Sequence, residues 1–388
     1  MPSEQTSRQQ QDRETARIEV RPKRLGLLVG GSGLIGGTIV HYFKKKVPDV
    51  ELMAPNSKKL SLREPDDIRR YCEKYQPDFI INTAIAAINS DAQLAYEVNY
   101  LGAVHLAEIA RERNIPFIHI SSAAVMPTGR DLDESCRLPL TARMSNYAKS
   151  KLMTELTLEH MGRHGGLDYT ILRLAVVYGK HDHKIQGFHR LLFTIADRSM
   201  PVLLTHRGVF HSYSHSKKLP PLIHHILGNR DEFSCQTYNV VDQEPVELAK
   251  LILTIRAYLD LSTPRRIFVP YPLARTGRTV IFWLLRRMSR IGIDARLPAE
   301  LMFMENFYKT QTLSPARLLN SSYQDPYSDV TVISFLPELI EYYITRWQHF
   351  RLLSTFNEDF YRPDNGLEEF RQAPDRLLEK IHRNGYRL

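Results

Sequence analysis

The chain has 388 residues, 43% hydrophobic and 24% charged, globular proportions that exclude a disordered polypeptide and a small disulfide scaffold. Its net charge is +9, but the lysines and arginines are spread along the chain and no nucleic-acid-binding motif gathers them; the basic balance also suits anionic small molecules or an anionic membrane surface. Three cysteines (Cys72, Cys136, Cys235), widely spaced and without a Cys-x-x-Cys pair, speak against a disulfide framework, and an N-terminus with no apolar core carries no secretory signal, so the cytoplasm is the expected location.

Residues 1–23, rich in Gln, Arg and Glu without periodicity, read as a flexible extension. Order begins with an apolar strand over Arg24–Gly30, a glycine-rich turn and a helix through Lys46. Val50–Ala54 reads as a strand, Pro65–Tyr75 as a helix and Asp78–Asn82 as a third strand. A long helical pattern covers Ala92–Arg113, followed by a strand over Pro116–Ser122, a helix over Asn146–His164 and a strand over Tyr169–Val177. Strands without polar alternation, separated by long helical segments, predict a parallel sheet covered on both faces: a doubly wound, Rossmann-type α/β fold. Past Lys180 this rhythm breaks. Residues 24–180 are therefore expected to form a dinucleotide-binding domain. Residues 181–388 are expected to supply a smaller substrate lobe and a C-terminal extension, with part of this half returning to the sheet.

Gly30-Gly31-Ser32-Gly33-Leu34-Ile35-Gly36 lies at the first strand–helix junction and satisfies G-x-x-G-x-x-G. Small residues let the backbone approach a pyrophosphate, and the helix N-terminus offers free N–H groups and a positive dipole end. An acid after the second strand grips the ribose of NAD; here that segment reads Met53-Ala54-Pro55-Asn56-Ser57-Lys58-Lys59. Ser57 and Lys58 suit a 2′-phosphate, so NADP(H) is favoured over NAD(H).

Tyr147 and Lys151 form a Tyr-x-x-x-Lys, a spacing that puts both side chains on one helical face. A neighbouring ammonium favours phenolate and brings a phenol, with its reference pKa near 10, toward neutral-pH proton transfer. Two further copies, Tyr42…Lys46 and Tyr213…Lys217, lack the partner that Tyr147 has: Ser121-Ser122 closes the fourth strand at the sheet edge where doubly wound folds hold ligands. Ser122, Tyr147 and Lys151 are the expected catalytic residues, with Ser122 hydrogen-bonding the reacting oxygen.

The ordered motifs GGSGLIG, INTAI, VNYLGAVHLAEIA, HISSAAV, NYAKSK and LRLAVVYG resemble the extended short-chain dehydrogenase/reductases, the NAD(P)-dependent sugar-nucleotide epimerase/dehydratase group. The resemblance runs over about residues 25–250, including YNVVDQEPVELAKLI, and LSLREPDDIRRYCEKYQPDFIINTA is most similar to the dTDP-4-dehydrorhamnose reductase branch. It implies cofactor contacts from Gly30, Gly33, Leu34, Ile35, Gly36, Ser61, Leu62, Ala84, Asn99, Tyr147 and Lys151, with Lys151 also holding the nicotinamide ribose. Ser122, Ala123 and Arg173 would face substrate, and a homodimer is implied.

Departures from the pattern narrow the reaction. Ala123-Ala124 stand where dehydratases carry an Asp-Glu pair, which leaves elimination of water without its acid and base. Val176 replaces an asparagine that often holds the nucleotide sugar, and His215-Ser216-Lys217-Lys218 replaces a segment that usually ends in two acids. The histidines at 181, 183, 211, 215, 224 and 225 do not present a convergent metal set, and no metal is expected. Arg275, Arg278, Arg286, Arg287 and Arg290 around Val280–Leu285 form a basic amphipathic segment suited to the substrate lobe or to peripheral contact with an anionic membrane. Asn357–Leu388 carries no motif.

The expected function is reversible oxidoreduction at a ketone or secondary alcohol, foremost C4 of a nucleotide-linked sugar. The alternatives are a C4 epimerase with bound NAD, a dehydrogenase of hydroxysteroid-like, polyketide or lipid ketones, and a non-catalytic cofactor-binding regulatory subunit.

Overall fold

A computed structural model describes residues 23–198, 200, 202–203, 208–266, 270–273, 276, 283, 287, 307–350, 352, 375 and 378–379. The expected extension up to residue 22, Arg275, Arg278, Arg286 and Arg290 of the basic segment, and nearly all of Asn357–Leu388 lie outside these residues.

The chain opens with β1 (Arg24–Val29), α1 (Leu34–Lys46), β2 (Val50–Met53), α2 (Pro65–Tyr75) and β3 (Phe79–Asn82). The next helix, α3, starts at Ala92–Leu94, widens into a π-helical stretch at Ala95–Leu101 and continues as Gly102–Glu112. Then come β4 (Phe117–Ser122), β5 (Gly129–Leu132), α4 (Asn146–Gly165) and β6 (Tyr169–Leu174).

Six strands form one parallel sheet in the order β11-β6-β4-β3-β1-β2, where β11 is Gln236–Val240. Side chains along each strand alternate between two apolar layers. Leu28, Ile81, Ile118 and Leu172 pack toward α1 on one face; Leu27, Ile80, Phe117 and Ile171 pack with Leu106 and Leu158 of α3 and α4 on the other. Both faces are covered, which is why the strands read as unbroken apolar runs.

One expected strand divides. Tyr169–Val177 becomes β6 and a separate β7 (Val176–Tyr178), because the Ala175 N–H donates to Ser214 Oγ at 2.9 Å and β7 leaves the sheet to pair with β10 (Tyr213–His215). The segment carrying His211 and His215 is therefore partly strand.

Further elements are α5 (Gly187–Ala196), β8 (Val202–Leu203), β9 (Phe210–His211), α6 (Leu219–Gly228), β12 (Val246–Glu247), α7 (Leu248–Tyr258), β13 (Arg265–Arg266), β14 (Gln311–Leu313) and α8 (Leu336–His349), besides a few single turns of helix. A second core gathers Phe188, Leu192, Ile195, Tyr213, Leu251, Ile255, Leu339, Tyr343 and Trp347. Strand β14 inserts between β9 and β5, so the C-terminal part of the chain reaches the loop that follows β4. Among the described residues no helix is long and apolar enough to cross a membrane.

Candidate active site

At the end of β1 the backbone turns sharply at Gly30, whose φ of +95° is the left-handed region that favours glycine. The Gly33 N–H donates to the Gly30 carbonyl at 3.1 Å, and α1 begins with Gly33 as its cap, so no side chain occupies the first free N–H groups. A Cβ on Gly36 would lie 2.3 Å from the Gly30 carbonyl oxygen. This cradle presents the amides of Leu34, Ile35 and Gly36 at the positive end of a thirteen-residue helix, which fits the pyrophosphate of a dinucleotide. A Cβ on Gly30 would meet Thr83 Oγ1 at 2.6 Å and Ala84 N at 2.7 Å, just past β3. Gly36→Val is expected to abolish dinucleotide binding, with at least a hundredfold loss in affinity by calorimetry, about 3 kcal/mol, since the turn cannot close around a branched side chain.

At the other end of the crevice, β2 finishes in a turn where Asn56 Oδ1 accepts from the Lys58 and Lys59 amides, both at 3.1 Å. Ser57 and Lys58 are exposed there. Ser61 Oγ accepts from Arg63 N at 3.3 Å, and the buried Leu62 packs against Gly102.

Ser122 is the last residue of β4, and its Oγ accepts from Ala124 N at 3.2 Å. Tyr147 stands in the first turn of α4, which Ser145 caps by accepting from Ala148 N at 3.2 Å. Burial pushes the Tyr147 phenol upward from its ordinary value, and the Ser122 hydroxyl acts in the opposite direction. Lys151, one turn further, is buried, and its Nζ donates to the Ile120 carbonyl at 2.6 Å. Burial lowers this ammonium to about 8, opposed by the Glu155 carboxylate.

Two buried side chains frame the pair. His119, kept neutral by burial and by the nearby Lys151 charge, shares a 3.4 Å contact with Asn82 Nδ2. Asn99 sits in the π-helical stretch, where the extra residue per turn rotates its amide inward. Its Oδ1 accepts from Ala86 N at 2.7 Å and its Nδ2 donates to Ser150 Oγ at 3.3 Å, tying the loop after β3 to α4.

The bond from Lys151 to Ile120 thus brings the Tyr147–Lys151 face of α4 to the Ser122 end of β4, and the glycine turn lies at the same edge of the sheet. Ala123, also buried, opens the turn after Ser122; Gln311 Nε2 from β14 donates to the carbonyls of Ala123, Met126 and Pro127 at 3.1, 3.2 and 3.0 Å.

Arg173 departs from expectation. It is fully buried, and its guanidinium makes a bidentate pair with Glu155 (Nε–Oε1 3.0 Å, Nη2–Oε2 2.8 Å) while Nη1 donates to the Glu134 carbonyl at 2.8 Å. Its guanidinium is committed to these partners inside the sheet. Its partner Glu155, to whose Oε1 the Ser121 Oγ donates at 2.6 Å, was not singled out from the sequence. The signal was there for Glu155, four residues beyond Lys151 on the same helical face.

The lysines that replace the usual acids are also accommodated. Lys218 is buried, 3.1 Å from Asp242 and 3.5 Å from Asp325, and Asp242 accepts from the Tyr178 hydroxyl at 2.8 Å. A cavity of about 420 Å³ lies behind α4, lined by Arg137, Glu159, Tyr169, Cys235 and Arg317; none of Ser122, Tyr147 or Lys151 borders it.

Residues 27–219 match the model of the NAD dependent epimerase/dehydratase family. The chain is 28% identical over 168 residues to GDP-L-colitose synthase of Yersinia pseudotuberculosis, covering 40% of this chain and 54% of that protein. It is 27% identical over 179 residues to a decarboxylating sterol-4-alpha-carboxylate 3-dehydrogenase of Schizosaccharomyces pombe, covering 41% and 52%. The chain thus spans about half the length of these curated relatives. In fold it is similar to dTDP-4-dehydrorhamnose reductase of Bacillus anthracis in complex with NADP, with a TM-score of 0.57, 16% identity, and coverage of 82% of this chain and 99% of that one. With its glycine turn, parallel sheet and family match in agreement, the segment from residue 27 to residue 219 belongs to the NAD dependent epimerase/dehydratase family, of the extended short-chain dehydrogenase/reductase type.

Proposed function

We propose that this protein is an NAD(P)-dependent oxidoreductase that reduces a ketone at C4 of a nucleotide-linked sugar. The reading rests above all on Lys151 held to the Ile120 carbonyl of β4, two residues before Ser122 and one helical turn after Tyr147, at the sheet edge that also carries the glycine turn. When bound, the nicotinamide supplies the hydride to the carbonyl carbon. The chain's own residues handle the oxygen. Tyr147, whose phenol burial keeps protonated, donates its proton to the developing alkoxide, and the Ser122 hydroxyl orients that oxygen and spreads its charge. The Lys151 ammonium stabilises the phenolate left behind. Ketone, hydride and proton together give the secondary alcohol.

Ala123-Ala124 after Ser122 provide no acid or base, which favours reduction over loss of water. Exposed Ser57 and Lys58 at the end of β2, with no carboxylate in that turn, favour NADP(H) over NAD(H). The kinship with a sterol dehydrogenase and the apolar Val176 keep a lipophilic ketone as the second reading.

Absorbance at the nicotinamide band tests both. Purified protein is mixed with NADPH or NADH and either nucleotide-linked 4-keto sugars or lipophilic ketones. Stoichiometric oxidation of NADPH by the sugars alone is the expected result; turnover of the lipophilic ketones alone sinks the sugar reading.

A further inference from the structure

Tyr147, Lys151 and Glu155 follow one another at four-residue steps along α4 and share one face. Lys151 and Glu155 are both withdrawn from solvent, where an isolated charge of either sign is strongly disfavoured. The Glu155 carboxylate is fixed by groups from two neighbouring strands. Arg173 of β6 grips it twice, Ser121 of β4 donates to it, and Arg137 Nε approaches to 3.7 Å. Ser121 directly precedes Ser122, and β4 and β6 run in register with Ser121 opposite Arg173. A carboxylate held this way locks the helix carrying the phenol onto the strand carrying the serine.

We propose that Glu155 is a positioning residue of this site: anchored on Arg173 and Ser121, it registers the Tyr147–Lys151 face of α4 against the Ser122 end of β4 and serves as the buried counter-charge of the Lys151 ammonium. The inference rests on the reaction proposed above. The groups facing the Lys151–Glu155 pair are His119 and Ser121 from β4, Arg173 from β6, Arg137 from the preceding loop and Glu159 from the next turn of α4. The arginines keep their charge throughout the working pH range and His119 stays neutral, so the titrating member is Lys151.

Glu155 opposes the burial that favours the neutral amine. Without the carboxylate the ammonium therefore loses its proton at lower pH, and activity that needs the ammonium falls off earlier as pH rises. Glu155→Gln keeps the shape and an acceptor for Ser121. It is expected to lower kcat at pH 7 about tenfold, to leave dinucleotide affinity within about twofold, and to move the alkaline limb of the kcat profile down by about one pH unit. A readout independent of turnover is the NMR titration of Lys151 in protein carrying labelled lysine, whose midpoint should fall with the limb.

An unmoved midpoint in folded Glu155→Gln protein overturns the proposal, as does an unchanged kcat with an active wild type. A midpoint that falls while the wild type turns over no ketone overturns the reductase reading and leaves the counter-charge standing. Should Glu155→Gln fail to fold, Ser121→Ala carries the test. Loss of that single tie should cut kcat about threefold with cofactor affinity intact, and an unchanged kcat overturns the proposal.

Discussion

Tyr147→Phe is expected to cut turnover about a thousandfold, within the range by which a positioned proton donor accelerates a reaction. The ring stays, so packing at the start of α4 and its Ser145 cap are retained. What disappears is one hydroxyl, the only part of Tyr147 that can give a proton to a carbonyl oxygen. Dinucleotide binding, measured by calorimetry or fluorescence, should stay within a few-fold, because the glycine cradle and α1 are untouched. Lost turnover with retained binding separates proton transfer from cofactor capture. Full turnover in the phenylalanine variant refutes a catalytic role for Tyr147, and no measurable turnover in the wild type would favour a non-catalytic cofactor-binding subunit.

Arg173→Ala carries the second large effect, on stability. Removing this guanidinium leaves Glu155 fully buried with its bidentate partner gone, and it also deprives the Glu134 carbonyl of its donor. Breaking a buried ion pair from one side costs about 3–5 kcal/mol, well beyond the average substitution. A urea titration should show the midpoint falling steeply, and the variant that folds at low temperature should bind dinucleotide. A loss under about 1 kcal/mol, accompanied by a rise in substrate KM, would instead mean that the guanidinium reaches the substrate. The contrast is sharp because one residue is read in two incompatible ways, as a ligand of substrate or as part of the sheet's interior.

The fold of the first half was legible because its signals are local. Apolar runs such as Phe79–Asn82 and Phe117–Ser122 have no polar face to spare, so they had to lie between two helical layers. Gly36 was legible for a similar reason, since a glycine at a strand–helix junction marks a close approach of backbone. Local signals failed at Ala175. Its break from the sheet depends on the Ser214 hydroxyl, thirty-nine positions away, which takes its N–H. Arg173, which the resemblance implies at the substrate, meets inside the sheet the carboxylate four residues past Lys151, a pairing that local sequence does not announce.

Charge at positions 217 and 218 makes the same point. Two lysines stand where the family pattern has acids, and Lys218 is matched by Asp242 and Asp325 from distant segments. Residue type and spacing, by themselves, determined the parallel α/β architecture, the glycine turn and the Tyr147–Lys151 helical face, since periodicity and i, i+4 geometry are properties of neighbours along the chain. Only the tertiary structure decided which buried charges meet, because a carboxylate or guanidinium withdrawn from water must find its partner wherever the fold brings one within reach.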